Sequence, residues 1–291
     1  MPSSRDIKRR IQSVKSTQQI TKAMKMVSAA KLYKSQRSVL ASKPYSKQLL
    51  RLFAKLSRIS DGKTQIKLLE QREIKKTAIV LVTGNRGLAG GFNHTLIKLA
   101  LAQGDDNCEY IAVGSRGRDA ILSAGRTVAN SFCEIRDIVA FSDVEQIGEL
   151  IVSSYESEKY DCIKVVYQKF ISPGKQEPFV MTLLPISVDE ILSEEQDTPE
   201  NSGQSAEEYI FEGDQQEILE TLSKKYVYNS IMQAVLESKT GEHIARMIAM
   251  NSATDNASEM IKQLQMDYNR SRQTAVTREI AEISGSANAV M

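Results

Sequence analysis

The chain has 291 residues, of which 41% are hydrophobic and 25% charged, with no tryptophan and a net charge of only +2. These values fit a folded, water-exposed protein of one or two domains. With no apolar run approaching 18 residues they exclude a membrane-spanning helix, and Met1–Arg10 lacks the apolar centre of a secretion signal.

The small net charge hides an asymmetry. Residues 1–60 carry fifteen Lys or Arg and one acid, Asp6, whereas Asp189–Glu220 carries twelve acids and no base. Such blocks point to partners or solvated faces rather than to a fold. Cys108, Cys133 and Cys162 form no C-x-x-C pair and are odd in number, which fits free thiols in a reducing compartment.

In chain order, Ser3 or Ser4 can cap a first helix with Asp6 in its first turn. Apolar residues at Ile7, Ile11 and Val14, then Ile20, Met24 and Val27, repeat at helical spacing. Pro44 is expected to kink or interrupt this helix. Ser60–Arg72 reads as a polar connector. Thr77–Thr83 is a continuous apolar run suited to a buried strand. After a glycine-rich turn, Leu88–Leu101 reads as a helix. A strand at Tyr110–Gly114, a short helix at Asp119–Ala124 and a strand at Ser131–Ile135 follow. Next come an amphipathic helix at Val144–Glu156 and strands at Cys162–Tyr167 and Phe179–Leu184 around the Ser172-Pro173-Gly174 turn. Strands alternating with helices predict a mainly parallel sheet.

Glu190–Gln204 is acidic and rich in Ser, Pro and Gly, the composition of a mobile loop. From Ser205 onward there is no proline, and Gly241 is the only glycine between Gly213 and Gly285. A helix over Gln215–Ser284 would run about 100 Å at ~1.5 Å per residue. No domain of this size buries such a rod alone, and its natural partner is the other long arm, Ser4–Ser57. The expected fold is α/β: a long antiparallel two-helix coiled-coil shaft from both termini plus a central Rossmann-like domain. The expected divisions are an N-terminal shaft helix at 1–59, the α/β domain at 73–189, the acidic loop at 190–209 and the C-terminal shaft helix at 210–286. Along the second arm Asn251, Ala253, Thr254 and Ala257 take seam positions where a stability-driven coiled coil places Leu and Ile. Seven of the ten methionines lie on the arms, suited to an apolar surface that meets changing neighbours.

The segment Thr83–Asn93 (TGNRGLAGGFN) sits between strand and helix, where phosphate loops occur. It lacks the Lys-Ser/Thr of a Walker A loop and the G-x-G-x-x-G spacing, and a structural turn is the plainer reading. His94 and His243 have no ligand-spaced neighbours, so surface or helix-packing positions are expected for both. No nucleophile–base or paired-carboxylate arrangement is recognisable, and neither cofactor nor metal is expected. Two competing readings remain open on the residues alone. One is a nucleotide-binding Rossmann-like protein. The other is a coiled-coil nucleic-acid or membrane adaptor acting through the basic arm.

Three longer motifs narrow the choice. Ile20–Lys31 (ITKAMKMVSAAK) closely resembles the N-terminal signature of the γ subunit of F-type ATP synthases. Ala245–Ala257 (ARMIAMNSATDNA) and Arg272–Ile280 (RQTAVTREI) resemble that family's second and third signatures. The Gly84–Asn93 loop is similar to its first-strand loop, although the family's usual Ser-Asp-Arg-Gly-Leu-Cys-Gly-Gly is altered at Gly84, Asn85 and Ala89. Asn85 removes any ion pair that an Asp would make, and Asn251 stands where Lys is common. The resemblance spans the whole chain, and the lack of a transit peptide or inserted cysteine pair looks bacterial.

The resemblance implies a non-catalytic rotor shaft inside the hexamer of α and β subunits. Its foot would sit on the c-ring together with ε, bound to the membrane only through the complex and placed at the cytoplasmic face of the cell membrane. No nucleic acid is implied. Arg272 and Gln273 match positions that touch β, and Met24, Arg246, Thr277 and Glu282 match coupling-sensitive positions. The Ala287–Met291 tail matches the part seated in the bearing of the hexamer.

Overall fold

The computed structural model describes residues 4–59, 66–187 and 214–288. The acidic loop expected at 190–209 and the last three residues of the tail lie outside the described residues. Two compact units partition the chain. One comprises Met1–Ala29 with Arg246–Met291, and the other Ala30–Ala245. Helices α1 (Ser4–Ile59) and α5 (Gln215–Asn288) contribute to both.

The larger unit holds β1 (Thr77–Val82), α2 (Phe92–Gln103), β2 (Cys108–Val113), α3 (Ser115–Ser123), β3 (Val128–Phe132), α4 (Phe141–Glu156), β4 (Cys162–Ser172) and β5 (Lys175–Leu184). The sheet order is β3-β2-β1-β4-β5. The first four strands are parallel, and β5 returns antiparallel along β4. Every residue of β1 is buried. Ala78, Val80 and Val82 face one hydrophobic cluster with α1, α4 and α5, while Ile79 and Leu81 face a second with α2. The continuous apolar run is therefore what a central strand covered on both faces requires. Phe53 of α1 stacks on Tyr226 of α5 with ring centroids 5.9 Å apart. The Ser42 and Ser46 hydroxyls reach Gln233 and Asn229, which fixes the two helices antiparallel in this unit.

Several expectations change. Pro44 does not interrupt α1, which runs unbroken through it. Pro44 and Leu40, whose carbonyl loses its partner, are both exposed, so the gap opens toward water. Helix α2 begins at Phe92, not Leu88, because Leu88 (φ 62°) and Gly90 (φ 55°) hold left-handed backbone that cannot be helical. The supposed polar connector contains a short 3-10 turn, Lys67–Leu69, with Ile66 and Leu68 buried. Strand β4 runs five residues beyond Tyr167 because its hairpin with β5 carries it on. Helix α3 starts four residues earlier than expected, and β3 lies three residues earlier.

The smaller unit is an antiparallel helix pair. Gln18 Nε2 donates to Ser258 Oγ at 2.7 Å, the Thr254 and Thr21 hydroxyls meet at 2.8 Å, and Lys25 Nζ donates to Asn251 Oδ1 at 2.6 Å. Covered positions of α1 include Ile7, Ile11, Val14, Gln18, Thr21, Lys25 and Ser28, alternating by four and three residues, with Met24 half-buried beside them. That is a heptad seam whose second half is polar. Ile20 and Val27, expected on the stripe, are 58% and 55% exposed. The apolar repeat and the helix seam are therefore offset along this stretch.

Candidate functional site

In doubly wound sheets, ligands enter at the carboxyl ends of the strands where the order reverses. Here the order reverses between β1 and β4, and the loop that follows β1 stands at that end of the sheet. The Thr83–Asn93 loop is held there by side chains. Gly84 N–H donates to Asn93 Oδ1 at 2.9 Å, and Gly117 N–H donates to Thr83 Oγ1 at 2.9 Å. Asn85 Nδ2 donates to the Cys133 carbonyl at 2.6 Å, while its Oδ1 accepts the Ser115 N–H at 2.8 Å. An Asp could make only the second of these bonds, because a carboxylate has no proton to donate. Asn85 is thus a tie between the loops after β1 and β3, rather than merely a lost ion pair.

The crevice itself is filled from within the same unit. Val235, Ser238, Lys239 and Glu242 of α5 line it together with Thr83, Asn85, Gly114 and Phe132, leaving a cavity of about 10 Å³. That is room for one water at most. A Cβ on Gly84 would stand 2.8 Å from the Glu242 carboxyl, so the glycine admits the side chain of α5 and not a phosphate. No nucleotide fits in this crevice above β1, β2 and β3.

The turn of α5 over this end is polar yet buried: Glu237, Ser238, Lys239, Thr240, Glu242 and His243 are all below 9% exposed. Lys239 and Glu242 pair at 3.8 Å. Lys31 of α1 binds Asp137 at 2.6 Å, and this ammonium, with Lys239 and His243 beyond it, holds the Asp137 carboxyl below its ordinary range. Lys239 and Glu242 thus offset one another within the buried turn, while the Lys31–Asp137 pair is half open to solvent. His243 is buried in helix packing, and His94 is on the surface. No cluster of His, Cys, Asp and Glu with metal-binding geometry exists among the described residues.

The helix pair presents the opposite character. Ile20, Met26 and Val27 of α1, and Ile248, Met260, Met266, Val276 and Ile280 of α5, are large apolar side chains open to solvent. Three arm methionines, Met26, Met260 and Met266, belong to this set, while Met250 is buried and Met24 and Met247 are half-buried. Asn251 bridges Lys25 and Asp255, to which its Nδ2 donates at 3.0 Å.

The sequence-predicted residues are not gathered into one site. Met24 is half-buried, and Arg246 is buried. Arg272, Gln273 and Thr277 lie exposed on α5 one helical stretch away. Glu282 lies on the same helix, with its side chain outside the described residues. The buried turn at Glu237–Glu242 was missed, because a polar run reads as solvated surface. The signal available was Gly241, the only glycine between Gly213 and Gly285.

The comparisons agree in one direction. A family model described as ATP synthase matches residues 3–290. The chain is 40% identical over 294 residues to the ATP synthase gamma chain of Pelotomaculum thermopropionicum, covering all of both chains. It is 39% identical over 293 residues to that of Moorella thermoacetica, again over the full length of each. Among solved structures, the OSCP/F1/c-ring assembly of the Euglena gracilis mitochondrial ATP synthase contains a chain that matches with TM-score 0.70 at 19% identity, over 99% of this chain and 94% of that one. The central stalk/c-ring of the Tetrahymena thermophila mitochondrial ATP synthase gives TM-score 0.61 at 21% identity, over 80% and 99%. These two establish a shared fold, while the full-length sequence matches establish kinship: the chain belongs to the ATP synthase gamma chain family.

Proposed function

We propose that this protein is the central rotor shaft of the F1 sector of a bacterial ATP synthase, carrying torque between ion flow in the membrane sector and the nucleotide sites of the β subunits. The observation that carries this reading is the full-length match to gamma chains, joined to an antiparallel helix pair that exposes large apolar side chains among its charges. The chain performs no catalysis itself, since the nucleotide chemistry belongs to β. Its partners are the α and β subunits, ε and the c-ring. It is a peripheral subunit of a membrane complex, at the cytoplasmic face of the cell membrane. No helix among the described residues is long and apolar enough to cross a membrane.

The chain is organised as the shaft helices 1–59 and 210–286, with the α/β domain 73–189 and the linker 190–209 between them. Arg272 and Gln273 contact β, and Met24, Arg246, Thr277 and Glu282 are coupling-sensitive positions. The exposure of Arg272, Gln273 and Thr277 supports availability to a partner. The basic first sixty residues favour association with acidic partner loops and set orientation. A weakly apolar helix seam with exposed methionines suits repeated contact with three similar β faces.

The test is to mix the chain with purified α and β subunits and follow ATPase activity and size. One copy per three αβ pairs, with hydrolysis dependent on it, is expected. A chain that forms no such complex and instead binds nucleotide or DNA alone would overturn the reading.

A further inference from the structure

Strand β4 outruns its neighbour. Pairing with β1 ends at Val166 opposite Leu81, while β4 continues to Ser172. The backbone N–H groups of Gln168 and Phe170 are not left open beyond that point. Gln168 N–H donates to Ser238 Oγ at 2.9 Å, and Phe170 N–H donates to Glu237 Oε2 at 2.9 Å. Two consecutive side chains of α5 thus take the place of a neighbouring strand. One turn later Gly241 faces the same strand, where a Cβ would come to 2.7 Å of Gln168 Cγ. Glycine inside a helix costs roughly 1 kcal/mol relative to alanine, and close approach to β4 is what it allows here.

The bonds continue onward. Gln233 Nε2 donates to Glu237 Oε1 at 2.7 Å, and Ser42 Oγ of α1 donates to Gln233 Oε1 at 2.7 Å. One chain of hydrogen bonds therefore runs from the sheet through α5 to α1. Resting on the rotor reading, we propose that Glu237 and Ser238, seated by Gly241, are the key that locks both shaft helices to the α/β sheet against rotation, and so are positioning residues for torque transfer. Apolar packing resists separation but is non-directional. Hydrogen bonds weaken steeply with misalignment. A twist of α5 about its own axis would misalign both bonds to β4 at once, and the buried Glu237 carboxylate is poorly placed to exchange them for bonds to solvent.

The experiment uses the assembled ATP synthase in vesicles, measuring ATP hydrolysis and ATP-driven ion pumping on the same preparation. In the double variant E237A/S238A, assembly and hydrolysis stay near wild type, and ions pumped per ATP fall well below the wild-type ratio. E237Q, which keeps an acceptor for Phe170, retains most of the ratio. An unchanged ratio in E237A/S238A overturns the proposal, as does a proportional loss of assembly, hydrolysis and pumping. Should the double variant fail to assemble, S238A alone decides: a lowered ratio supports the key, and an unchanged one refutes it. Failure of the rotor reading is separate, because the wild-type chain would then support neither assembly nor hydrolysis.

Discussion

Replacing Gly148 by alanine should destabilise the α/β unit although it improves the helix. Gly148 is buried inside α4, and a Cβ there would overlap the edge of the Tyr228 ring of α5, with Cγ of that ring only 3.2 Å away. In a free helix the change is favourable by about 1 kcal/mol. Here the ring must move, at an overpacking cost of about 1–3 kcal/mol. Moving it also breaks the edge contact with Phe141, whose centroid lies 6.2 Å away at 85°, a loss of about 1 kcal/mol. The net expectation is about 1–3 kcal/mol of destabilisation. With the ring removed in Y228A, the same substitution should return its helix gain and stabilise by about 1 kcal/mol. Guanidinium unfolding of the four chains followed by circular dichroism measures both steps. G148A effects of the same sign in both backgrounds would refute the close-packing account.

Three further outcomes are expected. The Thr254 hydroxyl donates to Thr21 Oγ1, whose own proton goes to the Gln18 carbonyl; T21V alone should cost about 0.5–1.5 kcal/mol, whereas T21V/T254V, which removes both partners at constant shape, should be near neutral, and additive losses on unfolding would contradict a paired polar seam. The Glu109 carboxyl is held below its ordinary value of 4.5, first by its hydrogen bond from Lys76 and then by that from Tyr160; a depressed carboxylate stabilises above its unfolded value and loses that contribution as pH falls through the folded one, so the wild-type advantage over E109Q should shrink below about pH 4.5, and a constant difference across that range would sink it. R272A, at an exposed shaft position, should lower ion pumping per ATP more than assembly, and equal losses of the two would remove Arg272 from the contact with β.

Much of the fold was legible because burial on both faces leaves one kind of sequence, as Thr77–Val82 shows. The long arms were legible from the absence of helix breakers, and their partnership from length alone. The start of α2 was not, because left-handed backbone at Leu88 leaves no mark in its residue type. Ile20 and Val27 misled for a different reason. Apolar spacing reports that a face is apolar, not whether it meets its own helix partner or another subunit, and in this stretch Thr21, Lys25 and Ser28 take the seam. The buried turn from Glu237 to His243 was hidden because its polar groups are matched by atoms remote in sequence, among them Asp137 and the β4 backbone. The four-motif resemblance reached the family, but contacts to β are properties of an assembly and not of one chain.

A central rotor shaft must rotate, and the direct measurement is single-molecule. The complex of this chain with α and β would be fixed to a surface through β, with a probe attached to exposed α3 of this chain. Unidirectional rotation on ATP is expected, with three pauses in each turn, one for each β subunit. A probe that stays fixed while the same complexes hydrolyse ATP at full rate would contradict it.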